Sequence, residues 1–441
     1  MNGNMNNSIT LDKYKKLLET RKFVRYSGKV TKVVGLTIEA EGPETHIGAL
    51  CNVFAQNNRM VLAEVVGFKD KKVLLMPIGD MSGIGPGNLV VAADRDLEVG
   101  VGQKLLGRVL DGLGNPMDGK GPIDIEKYYP VNNTPPNPMT RPRITQPLPL
   151  GVKCIDGLIT VGKGQRLGIF AGSGVGKSTL IGMIARNTKA DVNVIALIGE
   201  RGREVRDFLE RDLGEEGLKR SVVVIATSDQ PALIRLKGAL VATAIAEYFR
   251  DCGNDVLLLM DSLTRFSMAQ REIGLAIGEP PVTRGYTPSV YAAMPKLLER
   301  SGTSSKGSIT GLYSVLVDGD DMNEPITDTA RGILDGHIVL SRKLAHRNHY
   351  PAIDVLSSIS RVMNDIIDDE HKKCANELRR NLAVYADAED LINVGAYVKG
   401  SNPEIDLSIR LNKGINEFLI QDTMTRYSFS ETIELLKKAV K

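Results

Sequence analysis

Apolar and polar positions follow two different rhythms along this chain. Between residues 21 and 92 short segments alternate and are broken by Gly, Pro and Asn: Gly28–Val34, Leu36–Ala40, Met60–Val66 and Lys72–Met76. Period-two alternation turns one face of a strand inward, and this density of short strands predicts a small β-barrel or sandwich. From 151 to 365 the pattern changes to continuous apolar runs. These are Arg166–Ala171, Val192–Ile198, Val222–Thr227, Val256–Met260, Leu312–Val317 and His337–Leu340, with helical spacing between most of them. Strands apolar on both faces and alternating with helices predict an α/β domain with a mostly parallel sheet. After residue 366 strand signals fade and helical patterns such as Glu431–Val440 take over.

The remaining stretches connect or extend these blocks. Residues 93–150 hold a turn-rich run, Leu110–Gly119, then prolines from Pro135 to Pro149, which predicts a rigid extended connection. Near the start, Leu11, Tyr14, Leu17 and Leu18 share one helical face. Such a helix packs on its own domain, docks a partner or touches a membrane surface, and the pattern admits all three. The expected organisation is a docking helix at 1–21, a β-barrel at 22–92, an α/β domain at 93–365 and a helical domain at 366–441.

The first strong chemical signal lies where an apolar run meets glycines. Arg166–Ala171 is followed by Gly172, Ser173, Gly174, Val175, Gly176, Lys177, Ser178 and Thr179, and then by the helical pattern of Ser178–Arg186. Glycines allow backbone N–H groups to turn toward phosphate oxygens without a Cβ in the way. The positive end of the helix points at the same anion. Lys177 can reach the β- and γ-phosphates, and the Ser178 hydroxyl can ligate Mg²⁺. The strict pattern has Gly at its first position, and this chain has Ala171; the strand before and helix after carry the reading.

Two carboxylates extend it. Val256–Met260 ends in Asp261, and the C-terminal ends of parallel strands face the crevice where ligands bind. Asp261 is thus a candidate for the metal shell that Ser178 begins, although Asp261–Ser262 could also simply cap the next helix. Val192–Ile198 leads into Gly199–Glu200–Arg201–Gly202–Arg203–Glu204, which brings Glu200 to the same sheet edge. Hydrolysis needs a group to orient and polarise the attacking water, and position alone leaves Glu200 divided between that role and a charged surface loop.

Composition narrows the partners. With 56 basic and 53 acidic residues the net charge is +3, which gives no electrostatic case for nucleic acid. The barrel region also lacks basic residues interleaved with aromatics. The four cysteines are far apart, without metal or disulfide spacing, and read as incidental thiols in a reducing compartment. His346 and His349 read as part of a solvated loop. With no signal peptide and no membrane-length apolar run, a cytoplasmic location is expected.

Taken together, Ala171–Ser178 (AGSGVGKS), Gly199–Val205 (GERGREV) and Leu257–Phe266 (LLLMDSLTRF) resemble the catalytic subunit of rotary ATP synthases and its relatives. Gly107–Gly114 (GRVLDGLG), Gly285–Pro295 (GYTPSVYAAMP), Glu299–Gly302 (ERSG), Asp318–Asp328 (DGDDMNEPITD), Ile333–Arg342 (ILDGHIVLSR) and Tyr385–Tyr397 (YADAEDLINVGAY) narrow this to the type III secretion ATPases, the flagellar protein-export ATPases above all. The resemblance covers about residues 22–441 and implies a RecA-like P-loop core between barrel and helical domain. It implies ATP and Mg²⁺ as substrate and cofactor. By the same likeness Glu200 activates the hydrolytic water, Arg201 orients that region, Tyr350 stacks on adenine, and Arg361 is an arginine finger entering a neighbour's site. The last point implies a homohexamer. Further implied partners are a stator-like regulator, a central-stalk-like protein, export chaperones and substrates, and a membrane export gate at which the protein sits peripherally. Virulence-type secretion, a rotary synthase subunit, a non-catalytic subunit and a ring helicase are the alternatives.

Overall fold

A computed structural model describes residues 26–441 and Lys15, apart from 57, 58, 94, 318 and 320. The helix expected at 1–21 lies outside the described residues, as does Asp318 of the acidic motif. The chain divides into two compact units at Leu97 and Glu98.

The first unit is a closed barrel. Its strands are β1 (Ser27–Val34), β2 (Thr37–Glu41), β3 (Leu50–Phe54), β4 (Met60–Lys69), β5 (Lys72–Pro77) and β6 (Leu89–Ala92). They close in the order β1-β2-β5-β4-β3-β6, all antiparallel. Inward positions put Val30, Ile38, Ala40, Val53, Val65, Leu75 and Val90 into one core. The apolar-in, polar-out alternation thus does what its period predicts. Two strands carried no signal in the sequence: β3 sets two buried residues side by side, Leu50 and Cys51, and β6 is too short to show a period.

The second unit is built on a largely parallel sheet. The segment expected to be an extended connection contributes three strands instead. Of these, β7 (Glu98–Val101) pairs with β9 (Lys127–Pro130), and β8 (Val109–Asp111) joins the edge of the main sheet. Then come β10 (Arg166–Ala171), β11 (Val192–Ile198), β12 (Ser221–Ala226), β13 (Asp255–Asp261), β14 (Gly302–Thr303), β15 (Ser308–Leu316), β16 (Gly336–Leu340) and β17 (Ile353–Ser360). The order is β17-β16-β10-β15-β13-β11-β12-β8, with every pair parallel except β16–β17; short β14 hangs on β15. All of β11 and β12 is buried, as strands covered by helices on both faces require.

The helices Asp369–Asn393, Pro403–Leu419 and Phe429–Ala439 follow the sheet. Their Leu378, Leu411, Phe418 and Leu436 enter the same apolar cluster as Leu180, Ile195 and Leu257. The helical segment therefore shares the core of the nucleotide-binding sheet. Among the described residues no helix is long and apolar enough to cross a membrane.

This topology creates two functional edges. Parallel strands bring the C-terminal ends of β10, β11, β13 and β15 together. Antiparallel β17 runs the other way: its Ile353 pairs with Leu340, beside Ala171, and its Ser360 pairs with Gly336. At about 3.3 Å per residue, the end of β17 lies about 13 Å from the phosphate-loop edge.

Candidate nucleotide site

Strand β10 ends at Ala171, whose carbonyl accepts a bond from the Val317 N–H (3.0 Å). Gly174 and Gly176 then take left-handed φ of 77° and 88°. At Gly174 a Cβ would meet nothing, so glycine serves conformation alone, whereas at Gly176 a Cβ would lie 3.3 Å from the Tyr350 ring. The helix Lys177–Asn187 starts there with no side-chain cap, which leaves its first N–H groups to other partners. Ser173, Gly174 and Ser178 are exposed, and Val175 is buried as the loop's apolar anchor.

Lys177, Glu200 and Asp261 converge. The Lys177 ammonium donates to Asp261 Oδ1 and stands 3.8 Å from Glu200 Oε1. Ser314 Oγ, from β15, donates to the same Asp261 oxygen (2.6 Å). The capping alternative resolves in favour of the neighbour, because the Ser262 hydroxyl caps the helix Leu263–Ile277 by accepting from the Arg265 N–H. Asp261 is thereby free to face the loop.

Glu200 is 9 % exposed, and its Oε1 has no hydrogen-bond partner. Burial, and then the Asp261 charge, raise its carboxyl from 4.5 to about 7, while Lys177 and Arg265 pull it down. Sequence reasoning missed Arg265. Its Nε stands 3.7 Å from Glu200 Oε1 and is itself buried without a hydrogen-bond partner. The arginine can approach because residue 199 is glycine: a Cβ there would sit 2.6 Å from Arg265 Cδ. The signal was present in Leu257–Phe266, where Arg265 lies in the first turn of the helix that follows Asp261.

The other expected residues divide. Arg201 opens the helix Gly202–Asp207 with a side chain 78 % exposed, 3.5 Å from Glu204, and does not join the cluster. Tyr350 lies against Gly176, and its carbonyl accepts from the Gln421 N–H (3.0 Å), linking the loop to the segment after the helix Pro403–Leu419. His349 is only 8 % exposed and its Nε2 has no partner, so it is a buried, neutral imidazole rather than part of a solvated loop. Arg361 follows β17 at the opposite sheet edge. It is exposed, and its guanidinium donates to the Arg331 carbonyl (3.3 Å).

Comparison with known proteins fits this geometry block by block. Residues 30–93 match the ATP synthase alpha/beta family β-barrel domain, 151–360 its nucleotide-binding domain, and 367–438 the type III secretion EscN ATPase C-terminal domain. The flagellum-specific ATP synthase of Bacillus subtilis is 56% identical over 425 residues, 95% of each chain. The type 3 secretion system ATPase of Xanthomonas euvesicatoria is 52% identical over 413 residues, 93% of each chain. This chain belongs to the family of flagellum-specific ATP synthases and type 3 secretion system ATPases. Among solved structures, the assembled ATPase EscN of enteropathogenic E. coli superposes with a TM-score of 0.90 at 47% identity, covering 94% of this chain and 100% of that one. EscN has also been solved in complex with its central stalk EscO.

Within that family frame the site has a clear chemical capacity. Left-handed glycines, an uncapped helix start and Lys177 suit a polyphosphate. Glu200 Oε1 and Arg265 Nε form a 3.7 Å ion pair, and among the described residues neither has a hydrogen-bond partner, which leaves both able to accept or donate a further bond. Ser178 opens the helix and Asp261 ends β13, and a hydroxyl and a carboxylate are the oxygen donors that Mg²⁺ takes. Arg361 lies at the other end of the strands, away from this cluster.

Proposed function

We propose that this chain is a Mg²⁺-dependent ATPase that works as a homohexameric ring and drives type III export of flagellar proteins. Glu200 orients and polarises the attacking water. Lys177 holds the β- and γ-phosphates, assisted by the backbone of Gly172–Thr179, and Tyr350 stacks on the adenine. Ser178 and Asp261 hold Mg²⁺, which when bound neutralises phosphate charge. Arg361 stabilises the transition state in the neighbouring subunit, and Arg201 orients the Glu200 region when the subunits meet.

The observation that carries this reading is the distance between the two edges. Lys177, Glu200 and Asp261 cluster at one edge, while Arg361 leaves the other. A chain that gathers its phosphate-binding groups at one edge and presents a solvent-facing arginine at the other is read as sharing its site with a second copy. The assembled state of EscN supports such a ring, and the EscN–EscO complex supports a central-stalk-like partner for this chain. Export chaperones, their substrates, a stator-like regulator and a peripheral place at a membrane export gate follow from the same reading. The flagellar assignment rests on relatives at 56% identity, and the injectisome reading on relatives at 52%.

Mixing subunits tests the ring. Lys177→Ala and Arg361→Ala chains are each inactive alone. Mixed before assembly, they regain ATPase activity, because some interfaces pair an intact Lys177 with an intact Arg361. No recovery in rings proven to contain both chains overturns the shared site.

A further inference from the structure

Arg361 is exposed, and among the described residues the one bond its side chain makes is the long one to the Arg331 carbonyl near the end of the helix Pro325–Ile333. A helix C-terminus attracts a guanidinium, but weakly at an exposed position. Where the finger points is therefore set by the backbone from which it leaves. That backbone is tied with unusual density. The Arg361 N–H donates to the Asp335 carbonyl (3.0 Å), which also accepts from Gln165 Nε2 (3.0 Å). The Asp335 N–H donates to the Arg166 carbonyl (2.8 Å). The Asp335 carboxylate accepts three bonds from Arg166: from its main-chain N–H (3.1 Å), Nε (3.1 Å) and Nη2 (3.2 Å). Next to the finger, the buried Ser360 hydroxyl donates to the Thr160 carbonyl (2.8 Å) and accepts from Gln165 Nε2 (3.0 Å).

We propose that Asp335 is a positioning residue for Arg361: its clamp on Arg166 fixes the joint of β10, β16 and β17 from which the finger reaches into the neighbouring subunit. The proposal rests on the reading that Arg361 acts in trans. A bidentate carboxylate–guanidinium pair is geometrically demanding, and here it is partly buried. Its loss lets the joint shift, and a shift of about 1 Å in a reacting group can cost about 10²-fold in rate.

The test is Asp335→Asn in the full-length chain, which keeps the shape and removes the charge. The expected result is a kcat lowered about tenfold or more, with ATP affinity and ring mass unchanged. In an Arg361→Ala background Asp335→Asn causes no further loss, since two residues acting as one unit are not additive. Glu299→Gln removes Arg166's other carboxylate, which pairs with Arg166 and Arg141 and, among the described residues, makes no ion pair with the Arg361 strand, and should keep kcat near wild type. If Asp335→Asn does not assemble, Ser360→Ala loosens the same joint without touching charge and gives the same pattern. Unchanged kcat in an assembled variant, or losses that multiply with Arg361→Ala, overturn the positioning role. An active Arg361→Ala ring instead overturns the reading on which it rests.

Discussion

The two edges of the parallel sheet are built on opposite plans. At one edge four buried or half-buried charges, Lys177, Glu200, Asp261 and Arg265, crowd together, and desolvation and the Asp261 charge raise the Glu200 carboxyl. At the other a single exposed arginine stands on a tightly bonded backbone. On the proposed reading the first edge binds and activates, and the second donates. The difference teaches that the same sheet supports a buried cluster whose carboxylate is shifted by desolvation at one edge and a solvent-facing cation on a tightly bonded backbone at the other, which is the division of labour that the proposed shared site requires.

The largest effect breaks the comparison at its exposed side. Arg361→Ala should lower kcat by about 10³–10⁵-fold, the range for a trans-acting arginine, with ATP affinity retained. Equilibrium nucleotide binding beside steady-state turnover separates the two. A variant that loses affinity and turnover together would place Arg361 in binding rather than in transition-state stabilisation.

On the buried side, Glu200→Gln should keep ATP affinity and lower single-turnover hydrolysis by about 10²–10⁴-fold, the usual worth of a positioned proton acceptor. The loss should also be smaller than that of Arg361→Ala. Equal hydrolysis by wild type and Glu200→Gln would remove Glu200 from the chemistry.

What the sequence made legible follows from where each constraint lies along the chain. The phosphate loop and both carboxylates were readable because each sits at the end of a continuous apolar strand, a local pattern. Arg265 was not singled out, since its relevance depends on Gly199, which lies on another strand and leaves room for its side chain. Strand β17 escaped because an edge strand of Ser, Asp and Ile mixes exposed and buried positions without a clean period. Arg361 and Tyr350 were reached only through family likeness: neither a solvent-facing arginine nor a tyrosine before proline carries a local signal of function. The strands hidden in 93–150 show the same limit, since β8 exists because β12 is there to pair with it.

A subtler effect sharpens the buried plan. Burial and the Asp261 charge push the Glu200 carboxyl up to about 7, and only its ionised form can accept a proton. Its folded value lies above the ordinary 4.5, so activity should be present above pH 7 and fall as pH drops through 7. A pH profile of kcat/KM reads the free enzyme directly. Arg265→Gln removes a cation that favours the ionised carboxylate and should move this limb to higher pH. A limb that stays in place, or moves down, would mean that Arg265 does not act on Glu200 through charge.

The smallest effect concerns the wall that joins the loop to the helical segment. The Tyr350 ring packs beside Gly176 and its backbone is held by Gln421, so a base lying on that ring would be fixed relative to the phosphates. Base–aromatic stacking is worth about 1–3 kcal/mol by alanine substitution. Tyr350→Ala should therefore raise the ATP dissociation constant about tenfold, while kcat at saturating ATP holds because the reacting edge is untouched. Tyr350→Phe should restore affinity, since the face of the ring rather than the hydroxyl makes the contact. Failure of that rescue would point to the hydroxyl, and an unchanged affinity in Tyr350→Ala would remove the ring from nucleotide recognition and leave Tyr350 as the spacer that holds Gln421 against the loop.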